Sequence, residues 1–198
     1  MPLSRSERYV IDLLQRRFGV HLTKIQEKNE TAPDFTLVRD EQRLFVAELK
    51  DIERYPASAD RGWTIPKPGD MHYPFAHRTD NAVSRVADKI HQAYHQLKDF
   101  PPPRVLILLN HDSLVDVKDL EEAFTGEQVY ANAVFSYVNT VSKKIAEGKI
   151  KEEKGKIDLY IWIDKRTEHI RFRYPTQTGH DLAHSLFPES NSNRGSNA

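Results

Sequence analysis

The stretch Pro33-Asp34-Phe35-Thr36-Leu37-Val38-Arg39-Asp40-Glu41-Gln42-Arg43-Leu44-Phe45-Val46-Ala47-Glu48-Leu49-Lys50 decides how this chain is read. Asp34–Arg39 and Leu44–Leu49 each predict a strand. The second is more continuously apolar, as a central strand should be. The short polar run Arg39-Asp40-Glu41-Gln42 between them predicts a hairpin. Side chains on a strand alternate, so Glu48 and Lys50 share one face while Ala47 and Leu49 share the other. A tight hairpin then sets Asp34 beside Glu48, although 14 residues separate them in sequence.

Two carboxylates and a lysine brought together in this way suit phosphodiester hydrolysis. A hard divalent cation needs oxygen ligands and open positions for water and phosphate. Such a cation polarises a phosphoryl oxygen and lowers the pKa of its bound water. A lysine beside that water can orient it or stabilise developing negative charge. Without the cation, the two close carboxylates repel one another.

Working outward, Tyr9, Val10, Leu13, Leu14 and Phe18 predict a helix over 4–18, with Gly19 as its stop. Val20–Gln26 predicts a strand of imperfect alternation. Val83, Val86, Ala87, Ile90, Tyr94 and Leu97 form one apolar stripe, which predicts a helix over 80–98. Thr79 or Asp80 is its expected cap, and Pro101-Pro102-Pro103 ends it. Arg104–Leu109 predicts a buried strand, joined by a crossover and paired parallel. A short helix is expected over 116–124, and a longer one over 128–147 with Val134, Val138, Val141 and Ile145 on one side. The stretch 147–156 reads as charged and solvated. Asp158–Asp164 and His169–Tyr174 read as a closing strand pair. The fold class is therefore α/β, a sandwich with a mixed central β-sheet flanked by helices.

The order helix, three-strand meander, helix, strand over roughly residues 4–110, with Asp34 and Glu48-Leu49-Lys50 in place, resembles the PD-(D/E)xK phosphodiesterase superfamily. That superfamily has the restriction-endonuclease-like fold. The resemblance implies Asp34 and Glu48 as ligands of Mg2+ or Mn2+, and Lys50 as the catalytic lysine assisting the nucleophilic water. Many members add an acidic residue from the first helix, and here Glu7 is the best placed. Ser4-Arg5-Ser6-Glu7 also fits a capping box, which gives Glu7 a second role. Asp12 reads as surface. Members often present a polar residue from the helix after the lysine strand. Gln96, in Ala93-Tyr94-His95-Gln96-Leu97, is the choice here, with Gln92 next. The function so implied is a metal-dependent nuclease, with DNA as the expected substrate and a homodimer left open. The alternatives are a nuclease-fold protein that binds nucleic acid or a protein partner without cutting, and an unrelated α/β interaction domain with a chance motif.

Other signals are weaker. His91 and His95 stand at i and i+4, a spacing that holds transition metals, yet no third ligand is apparent and a surface helix is the better reading. Residues 51–78 contain Pro56, Pro66, Pro68 and Pro74 with Trp63, His72, Tyr73 and His77. They read as a long loop that packs as a flap or touches nucleic acid. Arg171 and Arg173 alternate on the last strand, where a solvated face is the commoner reading.

Composition bounds these readings. The 198 residues fit a single domain, 1–188, with a core over 4–110, helical and strand additions over 111–188, and a polar tail over 189–198 read as disordered. With no cysteine, disulfides and thiolate metal sites are excluded. The 29 basic side chains match the 29 acidic ones, which argues against a general nucleic-acid coat but leaves room for one positive face. No apolar run approaches the roughly 20 residues of a membrane span, and Met1–Arg5 shows no secretory signal, so a cytoplasmic protein is the expectation.

Overall fold

Phe35 pairs with Ala47, and this register organises one side of the central sheet. The computed structural model describes residues 2–26, 32–39, 41–54, 63–64, 77–78, 81–128, 137–138 and 140–188. In chain order the elements are α1 (Arg5–Phe18), β1 (Thr23–Lys24), β2 (Phe35–Arg39), β3 (Gln42–Ile52), β4 (Trp63–Thr64), β5 (His77–Arg78) and α2 (Ala82–Leu97). There follow β6 (Arg104–Asn110), α3 (Val117–Thr125), β7 (Glu127–Gln128), β8 (Tyr137–Val138) and α4 (Thr140–Lys144). The chain closes with β9 (Leu159–Asp164), β10 (His169–Arg173) and α5 (Gln177–Leu186).

Six strands form one mixed sheet in the order β1-β2-β3-β6-β9-β10. The β2–β3 and β9–β10 pairs are antiparallel hairpins, whereas β3–β6 and β6–β9 run parallel. The expected parallel pairing of the Arg104 strand is present, with Glu48 opposite Leu106 and Lys50 opposite Leu108. The sheet also extends past residue 110, because β9 pairs directly with β6.

Strand alternation sorts the core into two layers. Phe35, Ala47, Leu49, Ile107 and Ile161 face α1 and α5, meeting Val10, Leu13, Leu14, Leu182 and Leu186. Val46, Leu106, Leu108, Tyr160 and Trp162 face α2 and α3, meeting Val86, Ile90, Leu97 and Leu120. Each fully buried Leu, Ile or Phe of this kind contributes about 1.5–3 kcal/mol relative to exposure. Glu48 and Lys50 have the parity of Val46 and Ile52, so they lie on the α2 side of β3.

The ends of α1 follow from sequence. Ser4 accepts from the Glu7 amide, while the Glu7 carboxylate accepts from the Ser4 amide, completing a capping box. Gly19 stops the helix at φ 67°, in the left-handed region where a side chain is strained. A bulge between Leu37 and Val38 shifts the β2–β3 register before Glu41 turns the hairpin at φ 63°.

Several expectations need correction. The Val20–Gln26 strand contracts to Thr23–Lys24 at the sheet edge, although Val20 and Leu22 are buried in the core. Asn81 caps α2 without a side-chain hydrogen bond, while Thr79 and Asp80 lie outside the described residues. Of the helix expected over 128–147, Tyr137–Val138 is instead a strand paired with β7, and α4 with the π-helical turn through Lys149 is helical, while residues 129–136, with Val134, and residue 139 lie outside the described residues. Tyr137 and Val138 favour extended backbone. Val138 and Val141, read as an apolar stripe, are exposed.

The stretch 147–156 is not wholly solvated. Ile150 is buried, and Lys154 Nζ donates to the carbonyls of Phe124 and Ala146. Arg173 is engaged rather than free, pairing with Glu121 and lying 4.1 Å over the Phe124 ring. The sequence reading passed over α5, whose Leu182, Ala183 and Leu186 make a short apolar stripe capped by Thr176. It docks by close backbone approach, since a Cβ at Gly179 would stand 1.7 Å from the Asp158 carbonyl oxygen. The readings of His72, Tyr73 and the 189–198 tail lie outside the described residues, as do the side chains of Trp63 and His77. Among the described residues, no helix is long and apolar enough to cross a membrane.

Candidate functional site

The β2–β3 hairpin builds the centre of the site from backbone register. One step beyond the Phe35–Ala47 pair, Asp34 comes opposite Glu48. Each carboxylate accepts an amide from the other strand. The Leu49 amide donates to Asp34 Oδ2 at 2.8 Å, and the Asp34 amide donates to Glu48 Oε2 at 3.2 Å. These bonds hold both carboxylates to the backbone of the facing strand.

Lys50, two residues after Glu48 and on the same face, returns its ammonium to Glu48 Oε1 at 2.7 Å. The same Nζ donates to Gln96 Oε1 of α2. Helix α2 packs over β3 through its apolar stripe, and that packing delivers Gln96 to the lysine. On the other flank, Lys24 of β1 donates to Glu7 Oε1 and lies 3.9 Å from Asp34 Oδ1. Glu7 Oε2 meanwhile accepts from the Ser4 amide at 2.6 Å. Glu7 therefore caps α1 with one oxygen and meets the site with the other.

The structure thus joins Asp34, Glu48, Lys50 and Gln96 through hydrogen bonds, and Glu7 reaches this group only through Lys24, 3.9 Å from Asp34. Gln92 lies elsewhere, lining a cavity of about 360 Å³ with Ile52, Arg54, Arg85 and Lys89 at the far end of β3. The sequence reading missed Lys24. It belongs to no motif, and only the short pairing of β1 with β2 brings it to Asp34.

Electrostatics separate the three carboxyls. Glu48 is 1% exposed, and burial pushes its pKa up to about 7 from an ordinary 4.5. The Asp34 charge adds to that rise, and Lys50 offsets part of it. Burial also raises Asp34, against the Leu49 amide and Lys24, which favour its ionised form. For Glu7, burial acts upward, but the hydrogen bonds from Lys24 and Ser4 and the Lys24 charge outweigh it, holding the carboxyl below its usual value.

These carboxylates are oxygen donors of the kind that a hard cation takes. Glu48 spends both oxygens on Lys50 and the Asp34 amide, whereas Asp34 Oδ1 is beyond hydrogen-bond reach of Lys24. A divalent ion at that pair would relieve the repulsion that helps to raise Glu48.

Among the described residues, two groups of three acidic or imidazole side chains hold ligand atoms within 4.8 Å of one another, and the expected metal ligands Glu7, Asp34 and Glu48 are not among them. The two groups are Asp51–Glu53–His111 and His91–His95–Glu153. In the first, His111 Nε2 meets Asp51 at 2.8 Å while the Lys165 ammonium stands 3.4 Å from Nδ1, so a cation is already present.

Comparison of the chain with family models, curated proteins and solved structures returned no match. The functional reading therefore rests on the chain's own geometry and on its resemblance in motif.

Proposed function

We propose that this protein is a metal-dependent nuclease that hydrolyses phosphodiester bonds, with DNA as the substrate. The observation that carries the reading is the crossed pair of Asp34 and Glu48, with the Lys50 ammonium held between Glu48 and Gln96. Asp34 and Glu48 would hold Mg2+ or Mn2+, and Glu7, whose oxygens accept from Lys24 and the Ser4 amide, would join them only by releasing Lys24. The bound ion supplies Lewis-acid polarisation of the phosphoryl group and a more acidic water.

Lys50 works from a fixed position. Glu48 and Gln96 hold its charge where negative charge develops at the phosphate or the attacking water, so little reorganisation is needed during reaction. Gln96 acts through Lys50 and is a positioning residue. Near the end of β3, Arg54, Arg85 and Lys89 line the cavity together with Glu53 and Asp88. Arg85 is paired there with the buried Asp112, and Asp88 with Lys149, so the charges around the cavity are largely matched. The choice of DNA and the open question of a homodimer follow from the family resemblance.

One observation favours binding without cleavage: Lys24 already neutralises Glu7. An assay on single- and double-stranded DNA and RNA, with Mg2+ or Mn2+, separates the readings. Expected is metal-dependent cleavage of DNA that falls by about 10²–10⁴-fold in Lys50→Ala, a range typical of a lost positioned catalytic group. Absence of cleavage of every substrate would leave the binding reading. Cleavage undiminished in Lys50→Ala would overturn the site.

A further inference from the structure

His91 and His95 occupy successive turns of α2, with ring centroids 4.5 Å apart. The third ligand that the sequence did not disclose comes from 62 residues further along the chain. Glu153, in the turns between the π-helical segment and β9, approaches with Oε1 2.7 Å from His91 Nδ1. One ligand atom from each of the three residues lies within 4.8 Å of the other two.

Ligand atoms around tetrahedral zinc stand roughly 3.3 Å apart, given Zn–N and Zn–O bonds of about 2.0–2.1 Å. The histidines reach that spacing by small side-chain rotations, because both are at the surface. Glu153 carries a second indication. Its Oε2 is buried and has no hydrogen-bond partner among the described residues. An unpaired buried carboxylate oxygen is costly, and a cation held by the other oxygen, Oε1, would offset part of the buried charge. The donor set of two imidazoles and one carboxylate, with an open fourth position, selects a borderline divalent ion over Mg2+.

We propose that His91, His95 and Glu153 form a zinc site, separate from the carboxylate–lysine centre, that fastens α2 to the 150–156 segment. The proposal is independent of the nuclease reading. Its mechanical meaning lies in the next residue, since His95 precedes Gln96, the contact of Lys50. Zinc would brace the helix turn that delivers Gln96. A second histidine pair on α5, His180 and His184, has rings 4.2 Å apart and is the natural control.

The test is a zinc titration of the full chain, free of affinity tag, in competition with a chromophoric chelator and in excess Mg2+. Circular dichroism verifies the fold of each variant. Expected is one Zn2+ per chain at micromolar affinity or tighter, with X-ray absorption reporting two imidazole ligands. His95→Ala and Glu153→Gln should each weaken binding at least about tenfold, the scale of losing a metal-site partner. His180→Ala should not. Three results would overturn the proposal: no zinc bound in the micromolar range, unchanged binding in His95→Ala, or loss of binding in His180→Ala.

Discussion

Helix α2 serves two polar clusters of opposite construction. At Gln96 it meets a centre made by backbone: amides of Asp34 and Leu49 hold the carboxylates, and the hairpin register sets their spacing. At His91 and His95 it carries a cluster made by side chains alone, with Glu153 arriving from a distant turn. The first is partly buried and bonded to backbone, and the burial of its charge shows in Glu48. The second is at the surface, rich in imidazole, and can adjust to an ion by rotation. The two clusters meet neighbouring positions, His95 and Gln96, in the last turn of α2, and burial and donor type would suit a hard cation on one side and a borderline cation on the other.

The two clusters should respond separately to mutation. Asp34→Ala should lower Mg2+-dependent cleavage by about 10²-fold or more, the scale of losing an essential electrostatic group. Zinc stoichiometry in the same variant should remain one per chain. Loss of both would mean that the clusters are one unit, measured by cleavage rate and zinc titration on the same preparation.

The next effect concerns pH. The Glu48 carboxyl sits at about 7 in the fold, above its ordinary 4.5. The metal-free fold therefore keeps a proton that the unfolded chain has released. Between about pH 4.5 and 7 its stability should fall as pH rises, by at most on the order of 3 kcal/mol. Glu48→Gln should flatten that slope in urea titrations across pH 5–8. Metal binding must displace the same proton, so Mg2+ affinity should climb about tenfold per pH unit until pH 7 and then level. A flat affinity profile would show that Glu48 is already ionised or is not a ligand.

The smallest effect sharpens the double role of Glu7. Ser4→Ala removes the cap acceptor and should cost about 1 kcal/mol of stability. The melting temperature should drop by about 2–4 °C in a domain of this size. Cleavage at 20 °C that falls by more than this loss explains would show that the cap also aims Glu7 at the site.

Much of this was legible in sequence, for local reasons. Strand parity placed Glu48 and Lys50 on one face, and the short polar turn between two apolar runs brought Asp34 to them. Ser4 and Glu7 announced α1 at one end and Gly19 at the other. What escaped depends on contacts remote in sequence. Lys24 belongs to a two-residue strand that pairing alone creates, and Glu153 lies in a stretch whose charge suggested solvent. Helix α5 is short, with only three apolar residues in its stripe, yet docking on the sheet holds it. Residues 128–147 misled because valines recur there at helical spacing, while Tyr137 and Val138 pair as a strand.

The bulge at Leu37 and Val38 bears on how this site tolerates change. Between the bulge and Asp34 the pairing runs without slip, from Leu37–Phe45 to Phe35–Ala47. Beyond it the partners are displaced by one residue, to Val38–Arg43. The bulge therefore acts as a slack coupling between the turn and the site. A residue gained or lost near Glu41 can be taken up in the outer part of the hairpin, while the same change between Thr36 and the bulge turns Asp34 away from Glu48. An insertion beside Glu41 should therefore leave the Asp34–Glu48 pairing in place, whereas one between Thr36 and Leu37 should not.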